Sequence, residues 1–185
     1  MLRRFSLIFL SALIALLCLS SCKGSTFVIK LEDLPNNMQT SYLKKMQEKF
    51  SEDPSNRSYA LYDVNQDGSV ELFVGWARKF NVYQYKDGTL LHMGEIYNEP
   101  FAAPNVSGLY TYGGFGTGVG GSAFFAIQDD VLEKAEGNTD LQYLISQGES
   151  TFLVNGKRVS EEIYNQTVDQ YFNNQTRIPI YDIPQ

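Results

Sequence analysis

An acidic loop between two short apolar segments constrains the fold of this chain more than any other feature. It reads Asp63-Val64-Asn65-Gln66-Asp67-Gly68-Ser69-Val70-Glu71. Oxygen-bearing side chains recur at every second position, a glycine allows a sharp bend, and a carboxylate closes the loop. The flanking segments 59–62 and 72–74 are aromatic, branched or apolar, which favours strands. The pattern predicts a β-hairpin whose connecting loop can wrap a hard cation.

The spacing of the oxygen donors defines a candidate metal site. The expected ligands are Asp63, Asn65, Asp67, Ser69 and Glu71. A helix-flanked calcium loop would need a bidentate Glu at its twelfth position, which is the apolar Val74 here. The loop is therefore predicted to be of a strand-flanked kind. The alternative is a plain Asp-Gly hairpin turn with solvated acids and no metal.

The loop resembles the calcium hairpins of FG-GAP and VCBS-type repeats, in which an Asp-x-Asp/Asn-x-Asp-Gly-x-x-Asp loop joins two strands. Asp63, Asn65 and Asp67 match this pattern, and Glu71 replaces the usual last Asp. The resemblance covers residues 59–74 and implies calcium as the cofactor. The same hairpin occurs in uncharacterised secreted lipoproteins of Gram-positive bacteria, which this chain resembles.

The N-terminal segment has the pattern of a secretory signal. A short basic stretch, Met1 to Arg4, precedes an almost wholly apolar run from Phe5 to Leu19. Leu19-Ser20-Ser21-Cys22 follows and resembles the lipobox of bacterial lipoproteins. That resemblance implies that Cys22 becomes the mature N-terminus and carries lipid such as palmitate. The lipid would anchor the chain to the cell membrane, with the domain on the extracytoplasmic side. The alternative is an uncleaved membrane helix, for which the apolar run is short.

Removal of residues 1–21 would change both the charge and the cysteine content. Loss of Arg3 and Arg4 takes the formal net charge from −6 to −8. An acidic domain repels nucleic acid and anionic membrane surfaces, so we expect no nucleic-acid partner and attachment through lipid alone. Cys18 lies in the signal and Cys22 is the lipid site, which leaves no disulfide or thiol nucleophile. Bound calcium would instead stabilise the exported domain.

The remainder predicts a single extracytoplasmic domain over residues 26–185, joined to the membrane by a lipidated tether over residues 22–25. Helical spacing runs from Met38 to Phe50, capped by Asn36 or Asn37, and a second helix follows Ser160. Strand patterns fill the chain between these helices, and residues 26–30 are a further candidate strand. Residues 97–105 contain two prolines and are predicted to be a loop. We therefore expect an α+β fold, mainly an antiparallel β sheet, with a helix near each end of the mature domain.

A glycine-rich stretch over residues 113–121 invites a nucleotide-binding interpretation. Gly116, Gly118 and Gly121 formally match a dinucleotide fingerprint. Such a fingerprint must open a helix, whereas residues 122–127 have a strand pattern. The stretch is therefore predicted to be a loop or hairpin end.

Candidate catalytic groups are few. His92 is the only histidine, no Gly-x-Ser-x-Gly elbow is present, and a zinc site would need several histidine or cysteine ligands. We expect His92 to be a surface or sheet residue. Paired carboxylates for glycoside hydrolysis remain open, because only geometry distinguishes them. An aromatic set could face a sugar or peptide or pack the core, and it comprises Trp76, Tyr83, Tyr85, Tyr110 and Tyr112.

Three functions remain in view. The preferred one is a lipid-anchored surface module whose calcium hairpin fixes a β-rich domain for binding a protein, peptide or glycan partner. The second is an extracytoplasmic hydrolase with acidic catalysts. The third is a structural envelope lipoprotein in which calcium only stabilises the fold.

Overall fold

The fold consists of two antiparallel β sheets and two α-helices. The computed structural model describes residues 28–76, 78–103, 107–116, 119–135, 140–147, 149–172 and 176–184. Strands make up 51% and helices 22% of these residues. The prediction of mainly antiparallel β structure is confirmed, whereas the single sheet that we expected is in fact two.

The elements are numbered in chain order. The helices are α1 (Asn36–Glu52) and α2 (Glu161–Phe172), and a 3-10 turn spans Leu31–Asp33. The strands are β1 (Ser58–Tyr62), β2 (Glu71–Trp76), β3 (Lys79–Lys86), β4 (Thr89–Tyr97), β5 (Glu99–Ala102), β6 (Leu109–Gly116), β7 (Val119–Gln128), β8 (Val131–Ala135), β9 (Leu141–Ser146), β10 (Glu149–Val154), β11 (Lys157–Val159) and β12 (Ile180–Asp182).

The five-stranded sheet has the order β12-β1-β2-β3-β4. Consecutive strands β1 to β4 form a meander, and its β3–β4 turn places Asp87 and Gly88 at φ 51° and 83°, as a two-residue hairpin requires. The last strand, β12, returns to pair with β1. One edge strand of this sheet therefore comes from a segment more than a hundred residues further along the chain.

The seven-stranded sheet has the order β11-β10-β9-β7-β6-β5, and β8 pairs with β7 beside this path. Its edge strand β5 contains Pro100 and lies in the stretch that we predicted to be a loop. The outer side of β5 bonds to residues 176–178, where the Ala102 N–H donates and the Pro100 carbonyl accepts, so this side asks no donor of the proline nitrogen. The Asn155-Gly156 pair forms the β10–β11 turn, with φ values of 51° and 72°.

Over its described part the glycine-rich stretch forms the end of the β6–β7 hairpin, one of the two predicted alternatives, and its residues there are paired strand. Gly113 pairs with Gly121 across the β6–β7 hairpin. A Cβ on Gly121 would lie 1.9 Å from the Leu141 carbonyl oxygen, and one on Gly120 would lie 2.2 Å from the Tyr143 ring. The glycines thus let β9 and its tyrosine lie directly on the β7 backbone. The stretch continues directly as β7 and does not open a helix, so the dinucleotide interpretation fails on structural context.

Helix α1 covers the predicted segment, but its cap is not the one expected. It begins at Asn36 after Pro35, and no side chain caps it. Asn37 Oδ1 accepts a hydrogen bond from the adjacent Met38 N–H at 3.0 Å. Residues 28–30 form no strand, contrary to expectation, and residues 26 and 27 lie outside the described part. Helix α2 is capped by Ser160 as predicted, through a 3.3 Å bond to the Ile163 N–H.

The buried apolar residues form three hydrophobic clusters. Alternation along β2 sends Leu72 and Val74 against α1, whereas Phe73 on the opposite face packs toward the seven-stranded sheet through Leu109 and neighbouring residues. This two-sided burial explains why β2 is almost continuously apolar. Helix α2 packs on the seven-stranded sheet, where Tyr164 joins a third cluster. Among the described residues, neither helix has the length and apolar character needed to cross a membrane.

Candidate functional site: the acidic loop and the hairpin it closes

The acidic loop connects β1 to β2, as predicted. Tyr62 and Glu71 form the last strand pair below it. Gln66 and Gly68 both have positive φ, 59° and 88°, and so turn the chain over a short distance. Nothing lies within 4 Å of a Cβ built on Gly68, so the glycine serves backbone conformation and not close packing.

The loop's own backbone amides point at its acidic side chains. Asp63 accepts hydrogen bonds from the N–H groups of Asp67 at 3.1 Å and Gly68 at 2.9 Å. Asp67 accepts one from the Ser69 N–H at 2.7 Å and another from the Asn65 amide group at 2.8 Å. Each carboxylate oxygen carries a second lone pair, so these bonds leave acceptor capacity on both Asp63 and Asp67.

Glu71 lies beneath the loop and is fully buried. Its Oε2 accepts a hydrogen bond from the Val64 N–H at 2.8 Å, and its Oε1 accepts one from Gln84 Nε2 at 3.1 Å. Strand alternation puts Glu71 on the face of β2 that also carries Phe73, which is apolar apart from this group. A carboxylate in such surroundings is costly to ionise.

The pKa of Glu71 is raised from its ordinary 4.5 to about 8: burial raises it most, the negative charges of Asp63 and Asp67 also raise it, and the Val64 and Gln84 hydrogen bonds lower it. None of the ion pairs formed between described residues includes any of these three acids. At neutral pH the metal-free arrangement therefore holds a proton on Glu71.

One buried acceptor in the side chain that contacts Glu71 has no donor among the described residues. Gln84 Oε1 is buried and has no hydrogen-bond partner among the described residues. It belongs to the same amide whose Nε2 contacts Glu71. A cation or a proton would satisfy a buried acceptor that lies next to a carboxylate and has no donor of its own. The donor set, all carboxylate, amide and carbonyl oxygen, fits the preference of calcium.

The predicted ligand side chains are not gathered around one point. In the part of the chain that the structure describes, no three His, Cys, Asp or Glu side chains converge as a metal site would require. The structure brings Asp63, Asn65 and Asp67 together in one hydrogen-bonded loop. It places Glu71 below them, turned to the Val64 amide and Gln84.

Two contacts from outside the hairpin hold the loop at its base. The Tyr42 hydroxyl of α1 donates to the Val70 carbonyl and accepts from the Tyr85 N–H at 3.2 Å. Ser107 Oγ donates to the Asn65 carbonyl at 3.1 Å. The sequence pattern did not reveal Tyr42, Gln84 or Ser107, because each lies far from the loop along the chain.

A groove lies at the opposite end of the same hairpin. Its volume is about 970 Å³, and its lining includes Arg57, Ser58, Trp76 and Asp182 together with residues from the last turns of α1. The Trp76 side chain is 47% exposed, unlike Tyr83 and Tyr110 of the predicted aromatic set, which are buried. The aromatic set is therefore mostly core, and Trp76 is the member available to a ligand.

The remaining sequence candidates do not form a second site. His92 is exposed and contacts the Tyr83 ring, with 5.1 Å between ring centroids. Cys22 and the rest of the proposed signal lie outside the described residues. No protein-family model, no curated protein and no solved structure matches this chain.

Proposed function

We propose that this chain is a lipid-anchored extracytoplasmic binding module whose Asp63–Glu71 loop binds calcium. One observation carries the metal part of this proposal: a buried Glu71 carboxylate lies beneath Asp63 and Asp67, with no basic partner among the described residues. The negative charges of Asp63 and Asp67 raise the pKa of Glu71, so the three acids repel one another unless a cation or a proton is added. Their hard oxygen donors suit calcium.

Calcium would be held by the loop's own residues. The side chains of Asp63, Asn65 and Asp67, a backbone carbonyl at Ser69, and Glu71 would supply oxygens, with water completing the shell. Its charge would favour the ionised form of Glu71 and offset the repulsion among the acids. Because the loop joins β1 to β2, calcium bound there would stabilise the hairpin on which the five-stranded sheet is built.

The location rests on the N-terminal pattern. In this proposal, residues 1–21 are a signal peptide, residues 22–25 are the tether that begins at lipidated Cys22, and residues 26–185 form the exported domain. The two helices would then stand near each end of the mature domain. In an exported domain without cysteine pairs, bound calcium would take the stabilising place of a disulfide.

The hydrolase alternative gains no specific observation. Among the described residues that line the groove, Asp182 alone carries a carboxylate, whereas glycoside hydrolysis needs two that flank one bond. We therefore retain binding as the proposed activity.

Thermal unfolding of the full chain in detergent tests the calcium site. Extracellular modules bind calcium with Kd on the order of 10⁻⁴–10⁻³ M, so about 10 mM calcium should stabilise the fold by about 1.4–2.7 kcal/mol over chelator. That corresponds to a rise in Tm of about 3–11 °C. Asp63→Ala should abolish this rise, whereas Asp87→Ala, in the β3–β4 turn, should retain it. An equal rise in both variants, or none in the parent, contradicts the site.

Lipidation is tested separately in cells. The full chain should incorporate labelled palmitate and fractionate with membranes, and Cys22→Ala should lose both properties. Palmitate incorporation by Cys22→Ala, or membrane retention equal to that of the parent, would overturn the anchor.

A further inference from the structure

The groove at the open end of the β1–β2 hairpin contains opposite charges that do not pair with each other. Arg57 precedes β1, and Asp182 ends β12, directly beside Ser58 in the strand register. Both side chains line the groove, and both residues are exposed. Among the described residues, neither forms an ion pair, although six other pairs form across the molecule.

The Arg57 guanidinium is held in place by an aromatic ring. It lies over Trp76, with 4.8 Å between the guanidinium carbon and the ring centroid. A guanidinium over a ring is attracted by the ring's electron density, and its N–H groups can still donate to a further partner. Those donors match a carboxylate, which guanidinium binds through two parallel hydrogen bonds.

Apolar surface lines the same groove as these charges. Phe50 is 36% exposed and Trp76 47% exposed, and Ile183 and Pro184 also line the groove. Gln47 and Ser51 of α1 add neutral hydrogen-bonding groups. A volume of about 970 Å³ is at the upper end of the range for pockets that bind small ligands.

We propose that this groove binds a short peptide with free ends, whose carboxylate pairs with Arg57, whose ammonium group pairs with Asp182, and whose apolar side chain packs on Trp76 and Phe50. Charge complementarity selects this occupant: a peptide with free ends carries both signs on either side of an apolar body. A neutral sugar would use the aromatic surface but neither charge. The inference deepens the proposed binding function and names its ligand class.

The groove and the acidic loop are separate places on one hairpin. The strand β1 has 5 residues, with Ser58 at the groove and Tyr62 at the loop, which separates them by roughly 14 Å. A ligand in the groove therefore does not touch the loop. Peptide binding and calcium binding can be measured independently, so failure of one is distinguishable from failure of the other.

Trp76 is a built-in reporter for the test, because it is the only tryptophan in the chain. We would titrate the full chain in detergent with the tripeptide glycyl-phenylalanyl-glycine and follow tryptophan fluorescence. The same titration would use the peptide with its amino end acetylated, the peptide with its carboxyl end amidated, and the neutral disaccharide cellobiose. Each titration would be run with calcium and with chelator.

We expect saturable binding of the free peptide with Kd near or below about 1 mM. Amidation should weaken binding about 5–10-fold, and so should Arg57→Gln, but Arg57→Gln should add nothing further for the amidated peptide. Acetylation of the amino end and Asp182→Asn should each weaken binding by a similar factor, and Asp182→Asn should add nothing further for the acetylated peptide. Arg158→Gln and Glu133→Gln, on exposed positions of the seven-stranded sheet, should leave the affinity unchanged.

Several results would overturn the proposal. Equal affinity for free and blocked peptides would show that the charges of Arg57 and Asp182 do not contribute to binding. Binding of cellobiose but not of peptide would assign the groove to glycans, and binding of neither would show that the groove takes no ligand of this class. Because the blocked peptides test the charges on the unaltered chain, the result does not depend on the folding of any variant. A calcium-dependent rise in Tm without peptide binding would leave the calcium site intact and the peptide site refuted.

Discussion

The Glu71 carboxylate accepts a hydrogen bond from the Val64 N–H, across the base of the acidic loop, at 2.8 Å. This bond joins the two ends of the loop from inside the protein, where Glu71 is fully buried. The residue that closes the predicted ligand set is thus also the residue that ties the loop to the core. Its charge state links the loop to the stability of the hairpin.

Glu71 should make the metal-free protein less stable as the pH rises. Its folded-state pKa of about 8 lies above the ordinary 4.5, so the folded state binds the proton more tightly than the unfolded state. The resulting stability is fully present below about pH 4.5 and is lost as the pH rises through 8. In chelator, denaturant unfolding between pH 5 and 8 should show a loss on the order of 3 kcal/mol from this group.

The matched variant for that measurement is Glu71→Gln, which keeps an oxygen to accept the Val64 hydrogen bond but cannot ionise. Its free energy of unfolding should change less with pH than that of the parent, by about the amount assigned to Glu71. Identical pH dependence in variant and parent would show that Glu71 is not the titrating group.

The glycine at the loop's bend offers a comparison within one molecule. Gly68 and Gly88 have φ of 88° and 83°, and nothing lies within 4 Å of a Cβ on either. In chelator, Gly68→Ala and Gly88→Ala should therefore destabilise the protein by a similar amount, about 1–2 kcal/mol each, through backbone strain alone. In calcium, Gly68→Ala should lower the free energy of unfolding more than Gly88→Ala does, because it also distorts the proposed ligand loop. Thermal unfolding under both conditions measures this, and an equal cost of both variants in calcium contradicts it.

The hairpin was predictable because its signal is local. Alternating oxygen donors, Gly68 and strand-forming flanks all lie within 59–74, and the structure forms β1, the loop and β2 there. Gln84 and Tyr42 were not predictable, because a strand partner and a helix from elsewhere bring them to the loop. The groove likewise depends on β12 pairing with β1, a long-range contact that leaves no mark on local periodicity.

Local rules also failed where packing overrode composition. The glycine-rich stretch looks flexible by composition, yet it is strand because β9 needs bare backbone to pack against. Pro100 looks like a loop signal, yet it occupies an edge strand that tolerates it. In each case the neighbouring strand decides the conformation, and the sequence of the segment alone does not identify that neighbour.

Packing at the glycine-rich hairpin predicts unequal costs for two similar substitutions. Gly121→Ala would place a Cβ 1.9 Å from the Leu141 carbonyl oxygen at a positive φ of 155°, so backbone must move. A Cβ on Gly114 would lie 3.5 Å from the Tyr143 hydroxyl and 3.9 Å from the Val119 carbonyl oxygen, both ordinary contacts. Denaturant unfolding should show a loss of about 3 kcal/mol or more for Gly121→Ala and about 1 kcal/mol or less for Gly114→Ala.

The hydrogen bonds of the Tyr42 hydroxyl make a contribution of α1 to the stability of the hairpin measurable. It bridges the Val70 carbonyl at the end of the loop and the Tyr85 N–H of β3, and burial raises its pKa well above the ordinary value, so it stays protonated as a donor. Tyr42→Phe leaves both backbone groups without this partner and should lower the free energy of unfolding by about 1–3 kcal/mol. Tyr97→Phe is the control, since its hydroxyl makes only a 3.5 Å contact with Glu95 at the surface and should cost less than about 0.5 kcal/mol. Equal losses in denaturant unfolding of the two variants would show that the Tyr42 bridge adds nothing to stability.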